Sequence, residues 1–344
     1  MNNILYLLNH KTLTDFEVPL LIKKGYGVYI PKNYNSLAKE NSINYTTVNF
    51  YDDFLHIQPD IIKELNGVNW FSNTPLPSSI INILNDNFKY IFITLLTKPP
   101  LLNQLVREFK GTIYYRFFGL DGNKSYYEHI KGHVSPKVKY IFSYLEIYQF
   151  EKVRLFNDSN SYVIPLGLSN SKINRLYNTY NRKRDDVAFV CSRINPKCQY
   201  YFNIYKKFIS NFKDIKYIIY GKDNEAVTND KNVVNNLSDD KFYSSIAQCS
   251  CIYYHGVEPR HLHYHPLEAI VIGIPIIFHQ ESLLSSYLKN SPGRCKNIEE
   301  VIIKINRIVA KDQDLVKDIL YEQNKAYQKL LQCNNTNIFD VIYI

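Results

Sequence analysis

Residues 251–278 constrain the fold of this 344-residue chain more than any other segment. The apolar run at 251–254 predicts a strand, and a polar loop with four histidines follows it. Apolar residues at helical spacing predict a helix at 266–272, which a glycine ends before a second strand at 274–278. A strand–loop–helix–strand unit is typical of parallel α/β sheets, whose ligands bind at the carboxyl edge of the strands.

The rest of the chain repeats this alternation of short apolar runs and helical patterns. It opens with an apolar run at 4–8, a predicted helix at 17–24 and a strand at 28–30. Further strands are predicted at 68–71, 90–94, 112–116, 139–142, 187–191 and 217–220. Strands that alternate with helices build parallel sheets covered on both faces. The sequence therefore predicts an α/β fold of two Rossmann-like domains.

A shift in composition marks the boundary between these domains. Residues 157–186 are rich in asparagine, serine and charged side chains, and we interpret them as a linker. The linker separates an N-terminal domain at 1–156 from a C-terminal domain at 187–298. Residues 299–344 carry apolar residues at helical spacing, which predicts C-terminal helices that pack back on the N-terminal domain.

Charge and hydropathy limit the partners of the chain. The net charge of +9, from 41 basic and 32 acidic residues, is spread evenly over both halves. Nucleic-acid-binding proteins concentrate such charge on one stripe, so no nucleic-acid partner is predicted. Mild basicity suits an anionic substrate or an anionic membrane surface. No segment shows a signal-peptide pattern or a membrane span, so we expect a cytoplasmic protein, with peripheral association at the inner face of the membrane as an option.

The sequence shows no signature of a resident cofactor or metal. No G-x-G-x-x-G follows the first predicted strand, so the dinucleotide fingerprint is absent. The six cysteines lack metal-type spacing, and we expect all of them to be reduced and structural. The four histidines of the loop after residue 254 lack a fixed helical spacing, so no metal site is predicted there.

Five segments carry a resemblance to a known family. They are YVIPLGL at 162–168, VAFVCSRINPK at 187–197, IKYIIYGKD at 215–223, LSDDKFYSSIAQCSCIYYH at 237–255 and HPLEAIVIGIPIIF at 265–278. In this order and spacing they resemble the nucleotide-binding domain of GT-B glycosyltransferases, most closely the retaining family-four type. The resemblance implies two Rossmann-like domains that face a central cleft, with the donor on the C-terminal domain and the acceptor on the N-terminal domain.

The resemblance also implies a set of donor-binding residues. Glu268 would hydrogen-bond the ribose, and Arg193 and Lys197 would neutralise the phosphates. Gly221 ends the second strand of this domain, and Pro266 opens the helix whose amides favour an anion. These fixed charges stabilise a leaving nucleoside diphosphate, so no obligatory metal and no other cofactor are expected.

The carboxylates of this region depart from the family pattern. Nine residues separate Glu258 from Glu268, which is a wider spacing than the family has. Glu258 is a catalytic candidate if an insertion moved it. Glu268 has no opposite charge near it in the sequence, and the alternative to a ligand contact is a salt bridge to a distant lysine or arginine.

A second resemblance is to transferases that use CMP-activated acidic sugars, namely Kdo or sialic acid. It depends on the His-Pro pair at 265–266 and the Asp-Gly pair at 121–122. In this interpretation Asp121 is the catalytic carboxylate and His265 contacts the cytidine phosphate. Ser285 would donate a hydrogen bond to a phosphate. The structural alternative for His265 is a helix-capping or core histidine.

Two residues of the first domain are acceptor-side candidates. Arg116 ends a predicted strand, and His10 follows the first apolar run. Loops at strand ends are where a substrate pocket is expected. The predicted function is transfer of a sugar from a nucleotide-sugar donor to a saccharide or lipid-linked glycan, in surface polysaccharide biosynthesis. A non-catalytic glycan- or nucleotide-binding protein and a nucleotide-sugar epimerase remain alternatives on the same fold.

Overall fold

The structure is a computed structural model that describes residues 3–8, 10–31, 57–70, 73–94, 97, 99–120, 125–133, 135–151, 156, 159–224, 230–335 and 338–341. The chain divides into two compact units. The first comprises Met1–Ser169 and Cys333–Ile344, and the second comprises Asn170–Gln332. Each unit contains one six-stranded parallel sheet. The predicted α/β class with two Rossmann-like units is confirmed.

The first unit alternates strands and helices along the chain. Its elements are β1 (Asn3–Tyr6), α1 (Lys11–Lys23), β2 (Gly27–Tyr29), α2 (Pro59–Asn66), α3 (Ser78–Asn87), β3 (Tyr90–Ile93), α4 (Pro99–Glu108), β4 (Thr112–Phe117), α5 (Tyr126–Ile130), β5 (Val138–Phe142), α6 (Leu145–Glu151) and β6 (Ser161–Val163). The strand order is β2-β1-β3-β4-β5-β6. The central strands β1 and β3 are buried at every position, which explains why they form nearly continuous apolar runs in the sequence.

The second unit has the same plan. Its elements are α7 (Asn170–Leu176), β7 (Val187–Val190), α8 (Gln199–Asn211), β8 (Tyr217–Gly221), β9 (Val233–Asn235), α9 (Asp239–Ile246), β10 (Cys251–Tyr254), α10 (Tyr264–Ile272), β11 (Ile276–His279), β12 (Arg294–Cys295), α11 (Ile298–Val309) and α12 (Gln313–Asn335). The strand order is β12-β11-β10-β7-β8-β9. Helices α8 and α11 pack on one face of this sheet around Phe189 and Ile305.

Three of the differences between the predicted and the observed elements have a clear physical reason. The strand predicted at 68–71 does not form over its described residues, because the Val68 amide bonds to the Leu65 carbonyl at the end of α2. Helix α1 begins six residues before its predicted start at 17, since His10 caps it with Nδ1 accepting from the Leu13 amide at 3.4 Å. Helix α10 begins at Tyr264, so Pro266 is its third residue and not its first.

The division into units falls inside the predicted linker at 157–186. Strand β6 belongs to the first unit and α7 to the second, so this segment is partly regular structure. Most of the C-terminal helical segment belongs to the second unit, and the residues from Cys333 onward belong to the first. There Phe339 is fully buried with its ring 6.3 Å from that of Phe92, and Lys24 Nζ donates to the Phe339 carbonyl at 2.8 Å.

All six cysteines are free thiols, as predicted. Cys191, Cys249, Cys251 and Cys295 are buried. Burial raises the pKa of the Cys251 thiol to about 12, which keeps it protonated and unreactive at neutral pH. None of the helices in the described part of the chain combines the length and the hydropathy needed to cross a membrane.

Candidate functional site

The loop after β7 holds an arginine in a fixed position at the carboxyl edge of the second sheet. Arg193 is exposed and has a left-handed backbone with φ of 57°. Its amide donates to the Lys222 carbonyl at 2.9 Å, and its guanidinium carbon lies 4.5 Å from the centre of the Tyr201 ring. A cation over an aromatic face is attracted to the ring. The Arg193 side chain is therefore oriented before any ligand arrives.

A buried asparagine ties this loop to the loop after β8. Asn224 Nδ2 donates to the Cys191 carbonyl at 3.0 Å, and Asn224 Oδ1 accepts from the Ile194 amide at 2.9 Å. Lys197 is exposed in the same loop, with its amide bonded to Asn195 Oδ1 at 2.9 Å. Two exposed cations thus follow the end of β7.

Gly221 allows these two loops to approach each other. A Cβ at this position would lie 2.1 Å from the Cys191 carbonyl oxygen and 2.6 Å from Asn224 Nδ2. The structure therefore gives Gly221 a packing role beneath the Arg193 loop. This packing alone explains why a glycine stands at position 221, and the contact between Gly221 and a nucleotide stays a prediction.

Replacing Gly221 with alanine is expected to displace the Arg193 loop. Overpacking of this kind costs about 1–3 kcal/mol of stability. The matched control is Gly132→Ala, because a Cβ there meets nothing within 4 Å. Urea denaturation of the two variants checks the prediction, and equal stability of both would contradict it.

Four histidines gather where α10 begins. His263 is the N-cap residue of α10, and its ring stacks on that of His261 with centroids 4.0 Å apart. The buried Tyr254 hydroxyl lies 3.2 Å from His263 Nδ1 and accepts from the His263 amide at 3.3 Å. The His265 ring meets the edge of the Tyr254 ring at 5.2 Å, and its Nε2 is buried without a hydrogen-bond partner among the described residues.

His263 and His265 of this group are uncharged at neutral pH. Burial and the neighbouring histidines hold the pKa values of His263 and His265 well below the usual range. The charge of Arg193 also contributes to the low pKa of His263. Strands β7 and β10 are neighbours in the sheet, so the Arg193 loop and the loop that leads to α10 follow adjacent strands at the same carboxyl edge. Within the described ranges, no group of three or more His, Cys, Asp or Glu side chains could hold a metal ion.

The low histidine pKa values predict a loss of stability in mild acid. Below about pH 6.5, the ordinary histidine pKa, these two histidines bind protons in the unfolded chain but stay neutral in the folded chain. The free energy of unfolding should therefore fall as the pH drops below about 6.5, by about 1.4 kcal/mol for each unit by which a folded pKa is lowered. Denaturation at pH 7.5, 6.5 and 5.5 measures this slope. A His265→Gln variant should show a shallower slope than the wild type; an identical slope would exclude His265 as its source.

Glu268 is buried in α10 and held by two distant side chains. Its Oε1 lies 2.5 Å from Lys172 Nζ of α7 and accepts from the Tyr243 hydroxyl of α9 at 2.8 Å. Burial, with the Glu268 carboxylate adding to it, raises the pKa of the Tyr243 phenol. The salt-bridge alternative for Glu268 is thus present in the structure. The contacts with Lys172 and Tyr243 are both made by Oε1, and neither is made by Oε2.

The other donor-side candidates are placed as follows. The Ser285 hydroxyl donates to the Gln280 carbonyl at 2.7 Å, inside the 3₁₀ turn Leu283–Ser286. Pro266 is buried in the first turn of α10, where its missing amide costs little. Glu258 lines a cavity on the α8–α11 face of the sheet, away from the contacts of Glu268. Asp121 lies outside the described residues.

The two acceptor-side candidates have structural contacts in the first unit. The Arg116 side chain is fully buried, with Nε and Nη2 each 2.8 Å from Glu17 Oε1. The Tyr6 hydroxyl donates to Glu17 Oε2 at 2.7 Å, and Arg116 Nη1 donates to Ser143 Oγ at 3.4 Å. Arg116 therefore has no exposed surface for an acceptor, and it stabilises the sheet instead. His10 is the helix cap described above, with its ring 5.3 Å from that of Phe118.

Sequence patterns did not reveal the residues that support the site. Tyr201, Lys172 and Tyr243 meet their partners only in the folded chain, and a tyrosine or lysine on a helix carries no local signal. Of these supporting residues, Asn224 could have been suspected from the sequence. It lies three residues after Gly221, and a polar residue in a loop at the end of a strand is a typical position for a functional side chain.

Solved structures with the same architecture are known. The chain is similar to HepE from Anabaena in complex with UDP-glucose, with a TM-score of 0.64 and 12% identity over 100% of both chains. It is also similar to a glycosyltransferase from Rickettsia africae, with a TM-score of 0.59 and 12% identity over 99% of both chains. A DNA-modifying β-glucosyltransferase gives a TM-score of 0.58 and 13% identity over 99% of both chains. The β-glucosyltransferase of phage T4 gives a TM-score of 0.55 and 12% identity over 99% of both chains.

Sequence comparison alone finds no relatives: no protein-family model and no curated protein matches the chain. At 12–13% identity the structural similarity establishes the fold. The solved neighbours are GT-B glycosyltransferases, and the similarity covers both six-stranded parallel sheets. The chain therefore has the fold class of GT-B glycosyltransferases.

Proposed function

We propose that the chain is a glycosyltransferase that takes a sugar from a nucleoside diphosphate donor bound at the carboxyl edge of the second sheet. The observation that carries the proposal is Arg193, an exposed cation oriented by Tyr201 in the loop after β7, at the same carboxyl edge as the loop that leads to α10. Helix N-termini favour anions, and arginine binds phosphates through two parallel hydrogen bonds. HepE and the T4 enzyme, which share the fold, were solved with UDP-glucose, so UDP is the nucleotide we propose.

The roles of the other donor residues follow from their contacts. Lys197 adds a second positive charge in the Arg193 loop, and Glu268 Oε2 accepts from a ribose hydroxyl while Lys172 and Tyr243 hold Oε1. As the bond to the sugar breaks, negative charge gathers on the leaving diphosphate. Fixed cations beside it stabilise that charge more in the transition state than in the ground state.

This arrangement supports binding of the donor without a metal. The phage T4 enzyme was also solved with UDP and Mn²⁺. In the present chain the phosphates have Arg193, Lys197 and the dipole of α10 as positive partners, and we propose that these make a metal dispensable. Removal of divalent ions with EDTA should leave the affinity for UDP unchanged.

We further propose a saccharide or lipid-linked glycan as the acceptor, in surface polysaccharide assembly. The even spread of charge supports this over a nucleic acid, although one solved neighbour is a DNA-modifying β-glucosyltransferase. Asp121 and Glu258 are the candidate catalytic carboxylates, and the neutral His265 is a candidate hydrogen-bonding group in the same reaction. Retention of configuration, the family-four assignment and a location at the inner face of the membrane remain proposals from the sequence resemblance.

A thermal-shift series with UDP, GDP, ADP, TDP and CMP tests the proposed function. A ligand at 100 times its dissociation constant adds about 2.7 kcal/mol of stability. We expect stabilisation by UDP, with or without EDTA. Stabilisation by CMP alone would favour the Kdo or sialic acid transferase. No response to any nucleotide would contradict the proposal and favour the non-catalytic alternative.

A further inference from the structure

A small cavity of the second unit lies at the amino edge of its sheet, where α10 ends and β11 begins. Three segments line it: the residues that follow α7, the last turn of α10 and the middle of α12. Helix α10 has nine residues and is therefore about 13 Å long. Its length separates this cavity from the histidines at its start, so the cavity is distinct from the proposed donor site.

Hydrogen bonds to the backbone hold the walls of this cavity in place. Gln323 of α12 is buried, and its Nε2 donates to the Ile274 carbonyl at 2.9 Å. Its Oε1 accepts from the Ile276 amide at 2.9 Å, so α12 is fixed to the chain that enters β11. After α7, the Asn178 amide donates to the Val271 carbonyl at 3.0 Å. The fold itself therefore forms the cavity before any ligand binds.

Four polar side chains of the lining have no hydrogen bond to another residue within the described ranges. They are the phenols of Tyr177 and Tyr327 and the side-chain amides of Asn178 and Asn324. The ring of Tyr327 is packed into the protein, since the residue is 9% exposed, which fixes the position of its hydroxyl. A ligand can therefore bond to these four groups without breaking a hydrogen bond of the fold.

Tyr177 adds an exposed aromatic surface to these polar groups. Its ring stacks on that of Tyr327, with centroids 4.9 Å apart and planes inclined by 22°. Tyr327 covers one face of the Tyr177 ring, and 54% of the residue remains exposed. A tyrosine combines an apolar ring with a polar tip. A sugar ring matches this combination, because its C–H groups are apolar and its hydroxyls need hydrogen-bond partners.

The charge and the size of the cavity narrow the class of ligand. Among the described residues, no charged side chain lines it. A phosphate or carboxylate group would find no cation there, and an ammonium group would find no carboxylate. Phenols and amides both donate and accept hydrogen bonds, as sugar hydroxyls do. The volume of about 230 Å³ is below that of ordinary small-molecule sites, so it suits one sugar ring and not a whole nucleotide sugar.

We propose that this cavity is a second saccharide site, which binds one ring of a neutral glycan on the exposed surface of Tyr177. The amides of Asn178 and Asn324 and the Tyr327 hydroxyl bond to the hydroxyls of that ring. The site goes beyond the proposed function, since it lies at the far end of α10 from the donor. No bond forms or breaks in the cavity, so its role is to hold a glycan and not to transform it.

Methyl glycosides of glucose, galactose, mannose and N-acetylglucosamine are the probes for this site. Saturation-transfer NMR identifies the ring that binds, and calorimetry measures its affinity. We expect at least one of these neutral glycosides to bind about tenfold more tightly than the uronide in which a carboxylate replaces its CH2OH group. A Tyr177→Ala variant should lose about tenfold or more of this affinity, whereas Tyr177→Phe keeps the ring and should retain most of it.

The matched control is Tyr321→Ala, because Tyr321 is 62% exposed on the same α12 helix and does not line the cavity. Its saccharide affinity should equal that of the wild type. Absence of binding by all four glycosides, equal binding of a glycoside and its uronide, or equal affinity of Tyr177→Ala and the wild type would overturn the proposal. An equal loss in Tyr177→Phe and Tyr177→Ala would also overturn it, since the ring would then not be the binding surface.

The affinity for UDP separates this proposal from the proposed function. Tyr177→Ala should bind UDP as tightly as the wild type does, because Tyr177 lies at the other end of α10. Loss of both UDP and saccharide binding in that variant would overturn the second site, since the cavity would then be part of the donor site. Failure of UDP to bind the wild type would contradict the proposed function alone.

Discussion

Replacing Arg116 with alanine is expected to lower the free energy of unfolding of the first unit by about 3–5 kcal/mol. The substitution leaves the Glu17 carboxylate fully buried with the Tyr6 hydroxyl as its remaining hydrogen-bond donor among the contacts described. A buried charge that loses its partner retains its full desolvation cost. Urea denaturation followed by tryptophan fluorescence reports on this unit, because Trp70 is buried in it.

Two controls identify the cause of that loss. Arg107→Ala removes an arginine from a largely exposed pair with Glu108, and exposed pairs contribute about 0–1 kcal/mol. The double variant Glu17→Gln with Arg116→Met removes both charges, and it should recover part of the stability lost by Arg116→Ala. If the double variant is less stable than Arg116→Ala, the unpaired carboxylate is not the cause.

Replacing Arg193 with glycine is expected to weaken UDP binding by about 10- to 100-fold while leaving the fold intact. A hydrogen bond to a charged group contributes about 1.5–3 kcal/mol, which corresponds to this range. Glycine adopts the left-handed backbone of this position without strain, so stability should stay equal or rise by up to about 1 kcal/mol. Calorimetry with UDP and thermal denaturation measure the two effects separately.

The matched control for this variant is Asp223→Gly. Asp223 also has a left-handed backbone, with φ of 55°, in the loop after β8. Its replacement relieves similar strain without removing a cation, so UDP affinity should be retained. Equal loss of affinity in both variants would indicate that loop rigidity, and not the Arg193 guanidinium, determines binding.

The central strands of both sheets were the most predictable elements, for a physical reason, whereas the edge strands β6, β9 and β12 were not predicted. A parallel strand is buried on both faces, so the residues of β3 and β10 are continuous apolar runs in the sequence. The end of α10 was equally visible, because Gly273 has a left-handed φ of 82° that few other residues adopt. The start of α1 was missed because a histidine is an uncommon N-cap.

The candidate site was predictable as a set of loops but not as a set of contacts. Arg193 follows β7 and the histidines follow β10, so the topology alone places them at the carboxyl edge of the second sheet. Whether Glu268 is paired depends on Lys172, which lies 96 positions earlier in the chain. The burial of Arg116 likewise depends on Glu17, 99 positions away. Such long-range pairs leave no periodic signal in a single sequence.

The order of the two units along the chain has a consequence for biosynthesis. Phe339 packs against Phe92, and Lys24 pairs with Asp340 at 2.9 Å, so the first unit contains residues from both sides of the second. The ribosome must therefore translate the whole second unit before the first can make its last contacts. Until Phe339 is synthesised, the ring of Phe92 lacks that packing partner. The nascent first unit is therefore more accessible to chaperones and proteases than it is in the finished chain.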